Sequence, residues 1–127
     1  MIAVDTSALI AVLQREAFGP RCEDVLLSNQ IVISTATLTE ALIVAAQNGL
    51  RPAMSTLLAS LDLEVVDVTE AFAERAANAY ERWGKGFHAA RLNYGDSFAY
   101  ALAELKDCPL LYVGNDFAQT DIRSALG

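Results

Sequence analysis

Residues 1–13 read MIAVDTSALIAVL, and this stretch decides the fold that we expect. The apolar run at residues 2–4 predicts a short strand, and the helical spacing of apolar residues over 6–16 predicts a helix. Asp5 stands where the strand ends, and it is the only charged residue among the first 14. A strand followed directly by a helix is the usual start of a parallel α/β sheet.

The same alternation continues along the chain. Further strands are predicted at residues 31–33, 63–68 and 110–113. Further helices are predicted over residues 21–28, 37–48, 52–61, 69–83 and 94–106, with an additional short helix over 87–91. Short apolar strands separated by helices cannot pair as hairpins. We therefore expect one α/β domain over residues 1–127, a three-layer α/β/α sandwich around a short, mainly parallel sheet.

Composition restricts the class of protein further. The chain has 127 residues, of which 54% are hydrophobic and 20% charged, so it can bury a core without disulfides. Its net charge of -7 disfavours unspecific binding to nucleic acid. No apolar run is long enough to span a membrane, so a cytosolic protein is expected. Cys22 and Cys108 lack metal-ligand spacing, and we expect both to be reduced thiols.

Three more acids interrupt segments that are otherwise uncharged. Glu40 is the only charged residue between Asp24 and Arg51, and we expect it to lie on a largely buried helix face. Asp96 opens a helix whose next seven residues carry no charge. Asp116 follows the fourth strand, with Asn115 beside it as a further oxygen donor, while Asp121 lies five residues on and either supports the site or faces water.

Each acid also has a purely structural interpretation. Asp5 and Asp96 stand where a helix N-cap is expected. Thr37 and Glu40 have the spacing of a capping box, and residues 114–116 have the composition of a turn. For Glu40, the capping role and a role in a shared site are not mutually exclusive.

The positions of the acids predict that they meet. Carboxyl ends of parallel strands lie at one sheet edge, where such proteins bind ligands. Clustered carboxylates without a basic partner cannot all stay ionised unless a cation joins them. Oxygen donors favour Mg²⁺, with Mn²⁺ as a substitute, whereas a single histidine and two unspaced cysteines disfavour zinc.

Four segments resemble a known family. They are MIAVDTSALIAVL at the start, TLTEAL around Glu40, GKGFHAARLNYGDSFAYALA around Asp96, and LYVGNDFAQTDI around Asp116. Together they resemble the VapC toxins of type II toxin-antitoxin systems, which are PIN-domain ribonucleases, and the resemblance extends over essentially the whole chain.

The resemblance implies an acidic pocket that binds Mg²⁺ or Mn²⁺ and cleaves RNA. It assigns catalysis to Asp5, Glu40, Asp96 and Asp116, with Asp5 and Asp96 as direct metal ligands, and Ser7 in a supporting role. Attack by activated water is expected to leave a 5′-phosphate and a 3′-hydroxyl. The resemblance also implies a cognate VapB-like antitoxin and a homodimer.

A basic and aromatic segment is a candidate RNA contact. Basic side chains at Arg82, Lys85 and Arg91 accompany Tyr80, Trp83 and Phe87 within a short stretch, and Arg75 and His88 belong to it as well. A solvated helix face and hinge explains the same composition.

Two other functions compete with a nuclease. A non-catalytic binding module would use the acids only as caps. An aspartate-based phosphotransfer domain would need a second acid near Asp5, where Ser7 stands, or a phospho-accepting acid after the third strand, which only Asp67 could supply.

Overall fold

The core of the molecule is a four-stranded sheet in which all strands run parallel. The computed structural model describes residues 1–127, and the strands are β1 (Ile2–Val4), β2 (Ile31–Ser34), β3 (Leu63–Val66) and β4 (Leu110–Leu111). Their order across the sheet is β3-β2-β1-β4. The predicted parallel sheet is confirmed, although β3 and β4 end two residues earlier than expected.

Six helices connect the strands. They are α1 (Thr6–Leu13), α2 (Gly19–Ser28), α3 (Thr35–Gln47), α4 (Arg51–Ala59), α5 (Glu70–Trp83) and α6 (Tyr94–Lys106). A short 3₁₀ turn covers Phe117–Gln119. The predicted helices are present with shifted ends, and α1 stops three residues earlier than its apolar pattern suggests.

Polar caps fix where the helices begin. Asp5, Ser34 and Thr69 each accept a hydrogen bond from a backbone N–H in the first turn of α1, α3 and α5 respectively. Because Ser34 caps α3, the alternative interpretation of Thr37 and Glu40 as a capping box is wrong. This leaves the Glu40 carboxylate free for other contacts.

The sheet separates two apolar layers. Alternation along the strands sends Ala3 and Val32 to one face and Ile31 and Ile33 to the other. The first face packs against α5 and α6, and the second against α1 to α4. The chain therefore forms the predicted three layers.

The predicted short helix at residues 87–91 is wrong. This segment is a loop whose ends are joined by backbone hydrogen bonds, from Lys85 N–H to the Leu92 carbonyl and from Leu92 N–H to the Trp83 carbonyl. Gly86 and Arg91 have φ values of 91° and 55°, which a right-handed helix cannot accommodate.

None of the helices is both long and apolar enough to cross a membrane.

Candidate active site

The topology places an acidic site beside the carboxyl end of β1. The chain builds β1, β2 and β3 outward in one direction and then returns to add β4 on the other side of β1. Parallel sheets bind ligands where the strand order reverses in this way. Asp5 follows β1 at this point, and the segment containing Asp116 follows β4.

Asp5 is a buried carboxylate with one oxygen unpaired. Its Oδ2 accepts a hydrogen bond of 3.0 Å from Ser7 N–H and so caps α1, whereas Oδ1 is buried without a hydrogen-bond partner. Only 4% of the residue is exposed. Burial raises the pKa of Asp5, and the nearby Glu40 charge adds to that effect, against the hydrogen bonds from Ser7. The capping interpretation is therefore confirmed, but it accounts for one oxygen only.

Glu40 reaches the site from α3. Its Oε1 accepts a hydrogen bond of 2.5 Å from Thr6 Oγ1, which links α3 to the first turn of α1. Glu40 is half-buried, and Ile43, one turn further on, is exposed. The expectation of a largely buried helix face is thus only partly correct, because the carboxylate lies at the border of that face.

Gly95 allows α6 to approach Glu40. A Cβ atom at this position would collide with Oε2 of Glu40. The contact explains why a residue with low helix propensity stands in the first turn of α6. It also places Glu40 beside the residue that precedes Asp96.

Asp96 lies in the first turn of α6 and belongs to a capping box. Its N–H donates to Asn93 Oδ1 at 2.8 Å, and its Oδ2 accepts from Asn93 N–H at 3.0 Å. Burial raises the pKa of Asp96 to about 7, and the charges of Asp5, Asp116 and Glu40 act in the same direction, against the hydrogen bond from Asn93. Four carboxylates from separate elements therefore share one electrostatic environment.

Asp116 forms the open side of this group. It is exposed and begins the 3₁₀ turn without a side-chain capping hydrogen bond, and Asn115 beside it is exposed as well. Gly114 has a φ of 109°, in keeping with the turn expected from the sequence.

The two other supporting candidates have different surroundings. Ser7 Oγ accepts a 3.0 Å hydrogen bond from Val113 N–H and so ties α1 to the segment after β4. Asp121 instead accepts hydrogen bonds from Tyr100 Oη at 2.5 Å and from Arg82 at 3.2 Å. Its contacts are thus with α5 and α6 rather than with the four acids.

The basic segment divides into paired and unpaired cations. Arg75 pairs with Glu104 and Arg82 with Asp121. Lys85 and Arg91 are exposed and form no ion pair. His88 Nδ1 accepts a 2.9 Å hydrogen bond from Ala90 N–H, as expected for a structural residue.

The acidic group fits a hard divalent cation. The unpaired, buried Oδ1 of Asp5 needs a positive partner, and the donors around it are carboxylate oxygens. No set of three or more acidic, cysteine or histidine side chains is arranged to enclose a metal ion. Mg²⁺ does not require such a set, because it usually binds proteins through one or two carboxylates and keeps several waters.

Sequence reasoning missed three residues that shape the site. Thr6 orients Glu40, Asn93 orients Asp96, and Gly95 provides space. The spacing of Asn93 and Asp96 was a readable capping-box signal, and glycine inside a helical pattern indicates a close approach. Nothing in the local sequence indicates the contact of Thr6 with Glu40, since 34 residues separate them.

Sequence comparison gives relatives that match nearly the whole chain. The PIN domain family matches residues 2–123. The chain is 42% identical over 128 residues to ribonuclease VapC30 of Mycobacterium tuberculosis, with 95% of each protein covered. It is 39% identical to ribonuclease VapC of Mycolicibacterium smegmatis over 127 residues, with 95% of this chain and 97% of the relative covered.

Solved structures share the fold. The crystal structure of M. tuberculosis VapC20, described as a sarcin-ricin loop cleaving toxin, matches with a TM-score of 0.75 at 21% identity and covers 96% of both chains. A toxin-antitoxin complex from Klebsiella pneumoniae matches with a TM-score of 0.76 at 18% identity and covers 100% of this chain and 98% of that one. From the sequence identity and the extent of these matches, the chain belongs to the PIN-domain family and, within it, to the VapC ribonucleases.

Proposed function

We propose that this protein is a toxin that hydrolyses RNA phosphodiester bonds with the help of Mg²⁺ or Mn²⁺ held by Asp5 and Asp96. The observation that carries the proposal is the buried Oδ1 of Asp5, which has no partner and lies within a group of four carboxylates. Most buried polar atoms in proteins have a hydrogen-bond partner, so this oxygen calls for an explanation, and a bound cation supplies one at a place where four carboxylates meet. The purely structural interpretation therefore leaves this atom unexplained.

The divalent cation would supply positive charge to the attacked phosphate and lower the pKa of water. The protein residues position these participants. Asp5 and Asp96 would offer oxygens to the cation, and Glu40, which is hydrogen-bonded to Thr6 and packed against Gly95, would accept a proton from the attacking water. Asp116, at the exposed side, would add negative charge that helps to hold the cation.

A phosphotransfer domain receives no support from this arrangement. Asp67 follows β3, which β2 separates from β1 in the sheet. It therefore cannot share the site with Asp5.

The test is the chemistry of the product ends. Water attack with departure of the 3′ oxygen should give a 5′-phosphate and a 3′-hydroxyl, whereas attack by the RNA 2′-hydroxyl would give a 2′,3′-cyclic phosphate. Purified protein should therefore yield fragments that a 5′-phosphate-dependent exonuclease degrades. Cyclic-phosphate ends from the purified protein would contradict the proposal.

We also propose that a VapB-like antitoxin inhibits this protein and that the toxin forms a homodimer. The net charge of -7, together with the acidic pocket, favours a basic segment in the partner. Co-expression with the protein encoded next to it should give a complex that cleaves no RNA. A complex that cleaves RNA freely would contradict the toxin assignment, and a monomer in sedimentation analysis would contradict the homodimer.

A further inference from the structure

We propose that a cleft between α5 and α6 binds one unpaired RNA base by stacking, next to the carboxylate site. The cleft is separate from the four acids and has a volume of about 620 Å³. That size is within the range of small-molecule sites in proteins. The inference rests on the proposed RNA hydrolysis, and its test is chosen so that the two can fail separately.

Two exposed aromatic rings border the cleft. Phe87 is 62% exposed and Tyr94 is 77% exposed, which are the highest values among the large hydrophobic residues of the chain. Phe87 packs edge-on against Tyr80, and Tyr94 packs edge-on against Phe98. An edge-to-face pair covers at most one face of one ring, so Phe87 and Tyr94 each keep at least one face free of this partner, and a ring face is what a nucleobase stacks on.

The loop that carries Phe87 has a fixed backbone. Phe87 N–H and His88 N–H both donate to the Gly84 carbonyl, at 2.9 and 3.0 Å. Ala90 and Leu92 are buried and anchor the far end of the loop. Since the backbone is held in this way, Phe87 would lose little conformational freedom when a base binds.

The remaining lining favours a base over a phosphate. The small residues Ala73, Ala76 and Ala77 line the cleft from α5, and Glu81 is its only charged residue. A carboxylate repels phosphate but accepts hydrogen bonds from the amino groups of bases. The cleft thus offers flat apolar contact and one acceptor.

Cations for the RNA backbone lie in the adjoining loop. Lys85 and Arg91 flank Phe87 in sequence, and neither forms an ion pair. Unpaired cations beside stacking rings are typical of single-strand binding surfaces. They also disfavour a basic protein segment as the occupant of this cleft.

The cleft and the carboxylate group share the N-terminal end of α6. Tyr94 and Ser97 line the cleft from the first turns of α6, and Asp96 lies between them in sequence but projects from a different face of that helix. One turn of helix rises only about 5.4 Å, so an RNA strand that passes around this helix end would reach both places. The base in the cleft would therefore be close in sequence to the cleaved bond.

The test combines a protein change with an RNA change. Binding of a single-stranded RNA of ten nucleotides is measured at low salt in EDTA, with an abasic nucleotide moved along the strand. Wild-type protein should lose about tenfold in affinity when the stacked base is missing. The double variant Phe87→Ala/Tyr94→Ala should bind intact RNA about tenfold more weakly than wild type and should show no further loss with the abasic strand.

Two controls separate stacking from general effects. Phe87→Leu/Tyr94→Leu keeps apolar volume without aromatic faces and should behave like the alanine variant. Phe18→Ala removes another exposed phenyl ring, at 47% exposure, far along the chain from the cleft, and should bind RNA as wild type does.

Several results would overturn the inference. They are equal binding of intact and abasic RNA by wild type, no RNA binding by wild type, and an unchanged abasic effect in the double variant. If the double variant binds RNA as wild type does but no longer binds the inhibitory partner, the cleft is a protein-docking site instead. Because binding is measured in EDTA, the result does not depend on cleavage. A wild-type protein that loses affinity for the abasic strand as expected, but never cleaves RNA with Mg²⁺ or Mn²⁺, would refute only the proposed function.

Discussion

At the scale of single residues, Asp5 and Asp96 each take part in capping a helix and each belong to the group of four carboxylates. One oxygen of Asp5 caps α1 while the other is buried without a partner, and Asp96 combines a capping box with a place among four acids. Asparagine can retain the capping acceptor but lacks the charge that a cation needs. Replacement by asparagine therefore separates the two roles.

We expect Asp5→Asn and Asp96→Asn each to reduce RNA cleavage at least about a hundredfold, because each removes a charged oxygen that stabilises the reacting phosphate through the cation. Circular dichroism should show an unchanged fold. Asp24→Asn, at an exposed position of α2, is the matched control and should cleave like wild type. Full activity in either site variant would refute the assignment.

The pKa of Asp96 predicts a pH dependence of stability in EDTA. The pKa in the folded protein is raised to about 7, whereas an unfolded aspartate titrates near about 4. The folded state therefore binds the proton more strongly, and its stability falls as pH rises from about 4 through about 7. Asp96→Asn lacks this loss, so it should melt progressively higher than wild type between pH 5 and about 8.

Thermal unfolding of both proteins over this pH range in EDTA measures the difference. At the upper end of the pH range, Mg²⁺ added in excess of the EDTA should raise the melting temperature of wild type and leave that of Asp96→Asn nearly unchanged. If the difference in melting temperature between wild type and Asp96→Asn is the same at high pH as at low pH, the pKa of Asp96 is not raised by burial and by the neighbouring acids.

At the scale of secondary-structure elements, the site depends on how closely α3 and α6 approach. Gly95→Ala would place a methyl group where Oε2 of Glu40 lies. The carboxylate is at the flexible end of its side chain and can move aside, so we expect little change in stability but a loss of about a hundredfold in cleavage. Kinetics and thermal unfolding of the same preparations measure both quantities.

A second variant tests that explanation. In a Glu40→Ala background there is no carboxylate to displace, so Gly95→Ala should cause no further loss of activity. An equal loss in both backgrounds would mean that Gly95 acts through the backbone of α6 instead.

Most elements could be predicted from the sequence because each has a local signal. Apolar strands, helix caps and the start of α6 all follow from neighbouring residues, and the four acids stand out by interrupting uncharged segments. The failures arise where tertiary contacts decide. The loop containing Phe87 is closed by hydrogen bonds between its two ends, and Glu40 is oriented by Thr6 from another helix.

At the scale of the whole molecule, the order of the strands accounts for the site. Only the return of the chain to place β4 beside β1 brings the segment containing Asp116 toward Asp5. Part of the negative charge of the molecule is therefore concentrated at this site, because four of the sixteen acidic residues belong to this one group. On the proposed function, the unpaired cations of the neighbouring loop would hold RNA even without metal, and a bound cation would add to that attraction.

The most direct test is the dependence of RNA cleavage on metal identity in a preparation stripped with EDTA. Mg²⁺ and Mn²⁺ should restore cleavage by wild type but not by Asp96→Asn. Ca²⁺, which is larger and tolerates irregular coordination, should compete with Mg²⁺ and support little turnover. Asp96→Asn is prepared in parallel, and its inactivity excludes a contaminating ribonuclease. If wild type then cleaves RNA undiminished in excess EDTA, the site is not metal-dependent and the account is contradicted.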